Sequence, residues 1–245
     1  MLPIRDHNPV RTTPVVTWVV IAAAAWIFFF VQPRPDREAF AFLVEEATIP
    51  CEVVTIQPVS IDELTTGVCS RAGEPEFPGK NIMFSLVASI FFHGGIGHLL
   101  GNLWVLWIFG NNVEDEFGHN RYAVFYLVSG VLAGLSHVAL NPTSTIPVVG
   151  ASGAIAGVMG AYLVLHPSAR VTAIVPPLFF LPFRVPAALF LGIWLLGQFG
   201  LAGAATNIAW EAHVGGFIVG VLYGLRFRRR RRPRRSPEPP AGRRR

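Results

Sequence analysis

An all-α, polytopic membrane protein with six transmembrane helices is the fold class this sequence predicts, and three observations predict it. The 245 residues are 52% hydrophobic and only 14% charged, with a mean hydropathy of +0.48, whereas soluble domains carry about 25% charged residues. Six apolar stretches, at about 14–32, 83–109, 122–140, 148–166, 186–204 and 208–225, reach the roughly 17–25 residues that a helix needs to cross a bilayer. Five of the six hold no Asp, Glu, Lys or Arg, and the last holds one, Glu211. Soluble cores and disordered chains do not leave runs this long and this bare.

The stretch 14–32 outruns the 7–15 apolar residues of a signal peptide and has no A-x-A-like site after it, so it is expected to stay as a helix. The stretch 83–109 exceeds one crossing. Either it is tilted, or the crossing begins near His93-Gly94-Gly95. With six spans both termini share a side. The N-terminal tail, the loops 110–121 and 167–185 and the C-terminal tail hold 16 of the 20 basic residues, against four (Arg34, Arg37, Arg71 and Lys80) in the loop 33–82. By the positive-inside rule both ends are cytoplasmic. The organisation is then a tail at 1–13, a membrane domain at 14–225 that includes the outer loop 33–82, and an Arg/Pro-rich, disordered tail at 226–245.

That tail carries eleven arginines, so the net charge of +5 describes one segment rather than the whole surface. It suits anionic lipid head groups, at about 1 kcal/mol per basic residue near the surface. It gives no ground for a nucleic-acid partner. The outer loop holds nine acidic residues and both cysteines, Cys51 and Cys69. On an oxidising face these either pair, which is worth about 3 kcal/mol on a chain-entropy model, or stay free thiols.

Polar side chains inside a membrane span are costly and mark sites. The second stretch has His93, His98 and Asn102, the fourth has Ser152, and the sixth has His213. With the topology set by loop charge alone, all three spans enter from outside, and their polar groups fall at similar depth. Small residues surround Ser152 in Gly150-Ala151-Ser152-Gly153. Gly153 and Gly157, and Gly216, Gly220 and Gly224, recur every fourth residue, a stripe that lets helices approach closely in lipid. Close approach would bring Ser152 Oγ to the His213 imidazole for general-base activation. His98 and Asn102 share a helix face. With the Ser152 amide they offer donors to an oxyanion. His93 faces elsewhere and suits packing near the site. His137 and His166 suit packing and interface positions. Glu211, two residues before His213, lies about 200° around the helix from it and is no third catalytic member. No thiolate or well-placed carboxylate accompanies these histidines, so neither a metal nor another cofactor is expected.

The sequence resembles the rhomboid family of intramembrane serine proteases. The residues that carry the resemblance are His93-x4-His98-x3-Asn102, Gly150-Ala151-Ser152-Gly153, His213-x2-Gly216-x3-Gly220, and Glu114-x3-Gly118 in the loop after the second span, across roughly 14–225. The resemblance implies Ser152 as nucleophile, His213 as base, and His98, Asn102 and the Ser152 amide as the oxyanion hole. It also implies transmembrane-protein substrates, a bacterial inner or plasma membrane location, and a fifth span (Trp194, Phe199) similar to a helix thought to gate substrate entry. Two departures stand out. Phe84 and Ser85 replace a Trp-Arg pair of some members, and Ala156 replaces an aromatic residue that packs on the catalytic imidazole. The rival reading is a non-catalytic membrane-binding or transport protein whose polar cluster holds a ligand or relays protons.

Overall fold

The computed structural model describes residues 2–34, 36–174, 181–201 and 208–231. The chain opens on a strand, β1 (Leu2–Asp6), before the first long helix, α1 (Val15–Phe30). Three short helices follow, α2 (Asp36–Glu46), α3 (Pro50–Thr55) and α4 (Ile61–Thr66). The stretch 83–109 is broken into α5 (Ile82–Ala88) and α6 (Ile96–Phe117), on either side of His93-Gly94-Gly95. Then come α7 (His119–Leu140), α8 (Ser152–Leu165), the strands β2 (Arg170–Ile174) and β3 (Phe183–Pro186), α9 (Ala187–Leu201) and α10 (Trp210–Arg231).

The all-α expectation is corrected by a three-stranded antiparallel sheet in the order β1-β2-β3. It is built from the segments read as an N-terminal tail and as the loop 167–185. Val171 and Ala173 are fully buried while Arg170 is exposed, the period-2 alternation of a half-buried strand. Such short strands carry too few residues to stand out against apolar helices. α10 also runs six residues past the expected boundary at 225, through Arg231. The rest of the expected disordered tail, 232–245, lies outside the described residues, as do 202–207, which hold the end of the fifth stretch and the loop 205–207.

The loop expected at 110–121 is replaced by a near-continuous pair of helices. α6 runs through Phe117, α7 begins at His119, and Gly118 alone turns the chain with φ of 75°, which glycine adopts without a Cβ penalty. The charged run Glu114-Asp115-Glu116 suggests a loop, yet Glu114 is fully buried. Its carboxylate accepts from Val16 N at 2.8 Å, and from Thr17 N and Thr17 Oγ1 at 2.8 and 2.7 Å, with His119 Nδ1 at 2.6 Å. The N-cap residue of α1 is Pro14, whose side chain cannot cap. Glu114 reaches from another helix to satisfy those first N–H groups and to place negative charge at the positive end of the α1 dipole. Glu114→Ala is expected to destabilise the protein by about 2–4 kcal/mol, and Glu114→Gln by less. Unfolding in detergent micelles checks both, and an unchanged midpoint for Glu114→Ala would refute the cap.

The bundle is organised around α8. Every residue from Gly153 to Tyr162 is buried, with α6, α7, α9 and α10 packed around this helix and α1 against α6. The outward faces are apolar. Trp107, Val124, Leu196, Phe199 and Leu222 are each more than half exposed, which in water would be an unusual apolar surface. Among the described residues α7 is the one helix both long and apolar enough to cross a bilayer by itself. α1, α8 and α9 are apolar but have 16, 14 and 15 residues. α6 and α10 have 22 each and carry charge at their C-terminal ends.

The two ends of the bundle differ. The sheet follows the C-terminal end of α8, where Trp104 Nε1 donates to Pro3 O at 2.7 Å and Arg228 Nη1 donates to Val164 O at 3.4 Å. The segment 33–82 packs at the opposite end, where α8 begins. Val148 N donates to Thr48 O, Cys51 N to Ser144 O and Gly150 N to Ser89 O, all at 2.8–2.9 Å. Cys51 and Cys69 are joined in a disulfide. Glu63 lies beside it, but a disulfide offers no thiolate to a metal. Its carboxylate instead takes the Ser60, Ser70 and Arg71 amides at 2.8–3.0 Å. Burial pushes the Glu63 carboxyl up, yet these hydrogen bonds outweigh it and hold it below the usual range. Lys80 and Glu52 form a buried ion pair at 2.5 Å, and Lys80 Nζ also donates to the Val44 and Ala47 carbonyls at 2.6 Å. A small cluster of Val44, Ile49, Cys51 and Val59 completes this segment.

Candidate active site

Ser152 is the first residue of α8 and His213 lies in the first turn of α10. They meet because the two helices touch backbone to backbone. A Cβ on Gly216 would fall on the carbonyl oxygen of Gly153, and one on Gly220 on that of Gly157. On the other side of α8, a Cβ on Gly153 would stand 2.6 Å from Ala133 Cβ, and one on Gly157 2.7 Å from Ser129 Cβ. At this separation Ser152 Oγ lies 2.8 Å from His213 Nε2, within hydrogen-bond reach of a general base.

His98 and Asn102 stand on the first two turns of α6 and face the turn that leads into Ser152. Gly150 has a φ of 124°. A Cβ there would lie 2.8 Å from His98 Nε2 and 3.6 Å from Asn102 Nδ2, so only glycine lets both side chains reach the turn. Asn102 Nδ2 is buried and has no hydrogen-bond partner among the described residues, a cost that a site awaiting an acceptor can explain. Ala151, the N-cap residue of α8, gives no side-chain cap, so the first amides of that helix also lack intrahelical partners. Donors from two elements therefore converge beside the hydroxyl, as stabilising an oxyanion requires.

His93 does not face elsewhere, as its spacing from His98 suggests. The chain leaves helical geometry between α5 and α6, and the two rings meet edge to face with centroids 5.2 Å apart. His93 is 1% exposed. Gln32, past the end of α1, clamps its backbone in both directions, accepting from His93 N and donating to His93 O at 3.0 Å. His93 thus supports the His98 ring from a fixed position.

The Glu211 carboxylate is engaged by other partners, lying 3.1 Å from His137 Nδ1 and accepting from Asn141 Nδ2 at 3.1 Å. His137 therefore ties α7 to α10 through a side-chain hydrogen bond as well as packing between them. Gln198 on α9 does reach the site, since its Oε1 lies 2.7 Å from His213 Nδ1. It is the one polar side chain in the stretch 186–204, the signal by which the sequence marks it. Trp194, one turn earlier, puts its ring centroid 6.0 Å from that of His213, the contact left open by Ala156.

These groups line one cavity of about 850 Å³, whose walls include His98, Asn102, Ser152, Trp194, Glu211 and His213. A hydroxyl on an imidazole nitrogen, with convergent donors and a cleft large enough for a peptide segment, is equipped for acyl transfer.

Residues 80–230 match the model of the rhomboid domain. The chain is 31% identical over 147 residues to a protein named Rhomboid protein 1, mitochondrial, of Saccharomyces cerevisiae, covering 57% of this chain and 40% of that one. It is 33% identical over 155 residues to a protein named Rhomboid protease GluP, of Bacillus subtilis, covering 63% and 28%. RHOMBOID-like protein 12, mitochondrial, of Arabidopsis thaliana is 30% identical over 169 residues, covering 61% and 48%. The chain thus spans less than half the length of each of these relatives.

Proposed function

The chain belongs to the rhomboid family, a family of polytopic membrane helical bundles, and from this premise we propose that it is an intramembrane serine endopeptidase. Ser152 is the nucleophile and His213 the general base, and the observation that carries the reading is the 2.8 Å contact between them. Ser152 Oγ attacks the scissile carbonyl carbon while its proton passes to His213 Nε2. The tetrahedral oxyanion takes donors from His98, Asn102 and the Ser152 amide. Collapse breaks the C–N bond, His213 returns the proton to the leaving amine, and water hydrolyses the acyl-enzyme by the same exchange.

Six helices (α1, α6, α7, α8, α9 and α10) are the proposed spans, with both termini cytoplasmic. This reading is supported by β1 and the Arg-rich end of α10 lying at one end of the bundle and the disulfide-bearing segment 33–82 at the other. At about 1.5 Å per residue, α8 rises roughly 21 Å against a hydrocarbon core of about 30 Å. Ser152 then lies below the outer surface, and the cavity admits water from that side. The substrates are transmembrane proteins cleaved in or near their spans. The C-terminal arginines meet anionic head groups. A bacterial plasma membrane is the proposed location, with an oxidising outer face that suits the disulfide.

A fluorophosphonate probe tests the nucleophile. It is expected to label Ser152 in the folded protein, and labelling is expected to vanish on denaturation and in Ser152→Ala. Folded protein that resists fluorophosphonates and isocoumarins and leaves transmembrane substrates intact would instead favour the ligand-holding or transport reading.

A further inference from the structure

We propose that Gln198 is a positioning residue for the Ser152–His213 pair, a neutral third member supplied by α9. The proposal rests on the protease reading above and adds to it how the imidazole is oriented. Gln198 is 6% exposed, and its Oε1 lies 2.7 Å from His213 Nδ1. Its other amide atom, Nε2, donates to Trp194 O at 3.1 Å, one turn back on the same helix. The reversed amide would set two acceptors against each other at Trp194, so the oxygen is held towards the imidazole. A carbonyl oxygen accepts only, so Nδ1 carries the proton. In a neutral ring Nε2 is then the acceptor, and Nε2 is the atom that faces Ser152 Oγ at 2.8 Å. Gln198 thereby selects the one tautomer that can take the serine proton, and it holds the ring plane from the side opposite the serine.

No other side chain among the described residues makes this contact. Glu211 is bound to His137 and Asn141, and Trp194 lies near the ring but accepts no proton. A carboxylate in the same place would stabilise the imidazolium as well as orient it. An amide orients the ring without burying a charge.

Gln198→Leu removes the acceptor at nearly constant volume, and Gln198→Glu keeps the length and an acceptor oxygen. Both are to be assayed beside Ser152→Ala on a transmembrane substrate in liposomes, with thermal unfolding of each variant. The tautomer is read by NMR of 15N-histidine-labelled protein. Gln198→Leu is expected to lower kcat roughly ten- to hundredfold with KM nearly unchanged and to replace the single Nδ1–H tautomer of His213 by a mixture. Gln198→Glu is expected to recover much of the rate. A wild-type kcat in a folded Gln198→Leu variant overturns the proposal. So does an equal loss in both variants with the His213 tautomer unchanged, which marks a merely structural role. If Ser152→Ala still cleaves, the protease reading falls, while the tautomer measurement continues to test Gln198.

Discussion

Alanine at Ser152 or at His213 is expected to lower kcat for a transmembrane substrate by about 10⁴–10⁶-fold, leaving the fold in place. The hydroxyl and the imidazole act as one unit across the 2.8 Å contact. Without His213, the serine proton has no acceptor at Nε2, and the hydroxyl attacks only at its intrinsic, weak nucleophilicity. Without Ser152, the imidazole can at most activate water at a position the site was not shaped for. The two losses are therefore not additive, and the double variant is expected to be no slower than the worse single one. Both side chains are partly buried at a cavity wall rather than in the packed core, so unfolding midpoints should move little. The measurement is cleavage of a reconstituted substrate by single and double variants at equal folded concentration. Undiminished turnover in either single variant removes the assignment. Additive losses would mean that the two side chains act in separate steps.

The residues of the site stand out in the sequence because membrane spans tolerate so few polar groups. Ser152, His213, His98 and Asn102 are conspicuous on bare helices, and their order along the chain carries the family resemblance. Gln198 is just as bare a signal, yet a lone amide in an apolar helix also fits a simple helix-to-helix tie, so only its 2.7 Å approach to His213 gives it a role. Two kinds of information are missing from the sequence. One is direction. Glu114 belongs to the family pattern and is expected in a loop, whereas the helix continues through it and turns it inward onto α1. The other is pairing between distant short segments. β1 and β2 are joined by a register, Leu2 to Ile174 and Asp6 to Val171, that no local pattern within either strand specifies. Helix existence follows from local composition, but sheet partners and inward-facing charge follow from the tertiary arrangement.

Glycine spacing points to close packing on α10, through Gly216, Gly220 and Gly224, but spacing alone does not rank individual glycines. α7 also carries two glycines four apart, Gly130 and Gly134. In the structure a Cβ on Gly134 meets nothing within 4 Å, whereas a Cβ on Gly220 would coincide with the Gly157 carbonyl of α8. An alanine methyl at 220 is fixed to the backbone and cannot rotate away. α10 must therefore move off α8 as a body or the backbone must deform, because protein interiors are packed too densely to absorb it locally. Gly220→Ala is expected to destabilise by about 3 kcal/mol or more, a large effect for one methyl group. Because His213 rides on the same helix two turns earlier, separation of α8 and α10 also stretches the contact to Ser152, and kcat is expected to fall in the fraction that remains folded. Gly134→Ala should be neutral or stabilising by up to about 1 kcal/mol, since it adds helix propensity without a clash. Denaturant unfolding of both variants in the same micelle, with probe labelling of Ser152 as the readout of the site, measures the contrast. Equal effects at 134 and 220 would mean that α8 and α10 are not in backbone contact, and the glycine stripe would then no longer explain how serine and histidine meet.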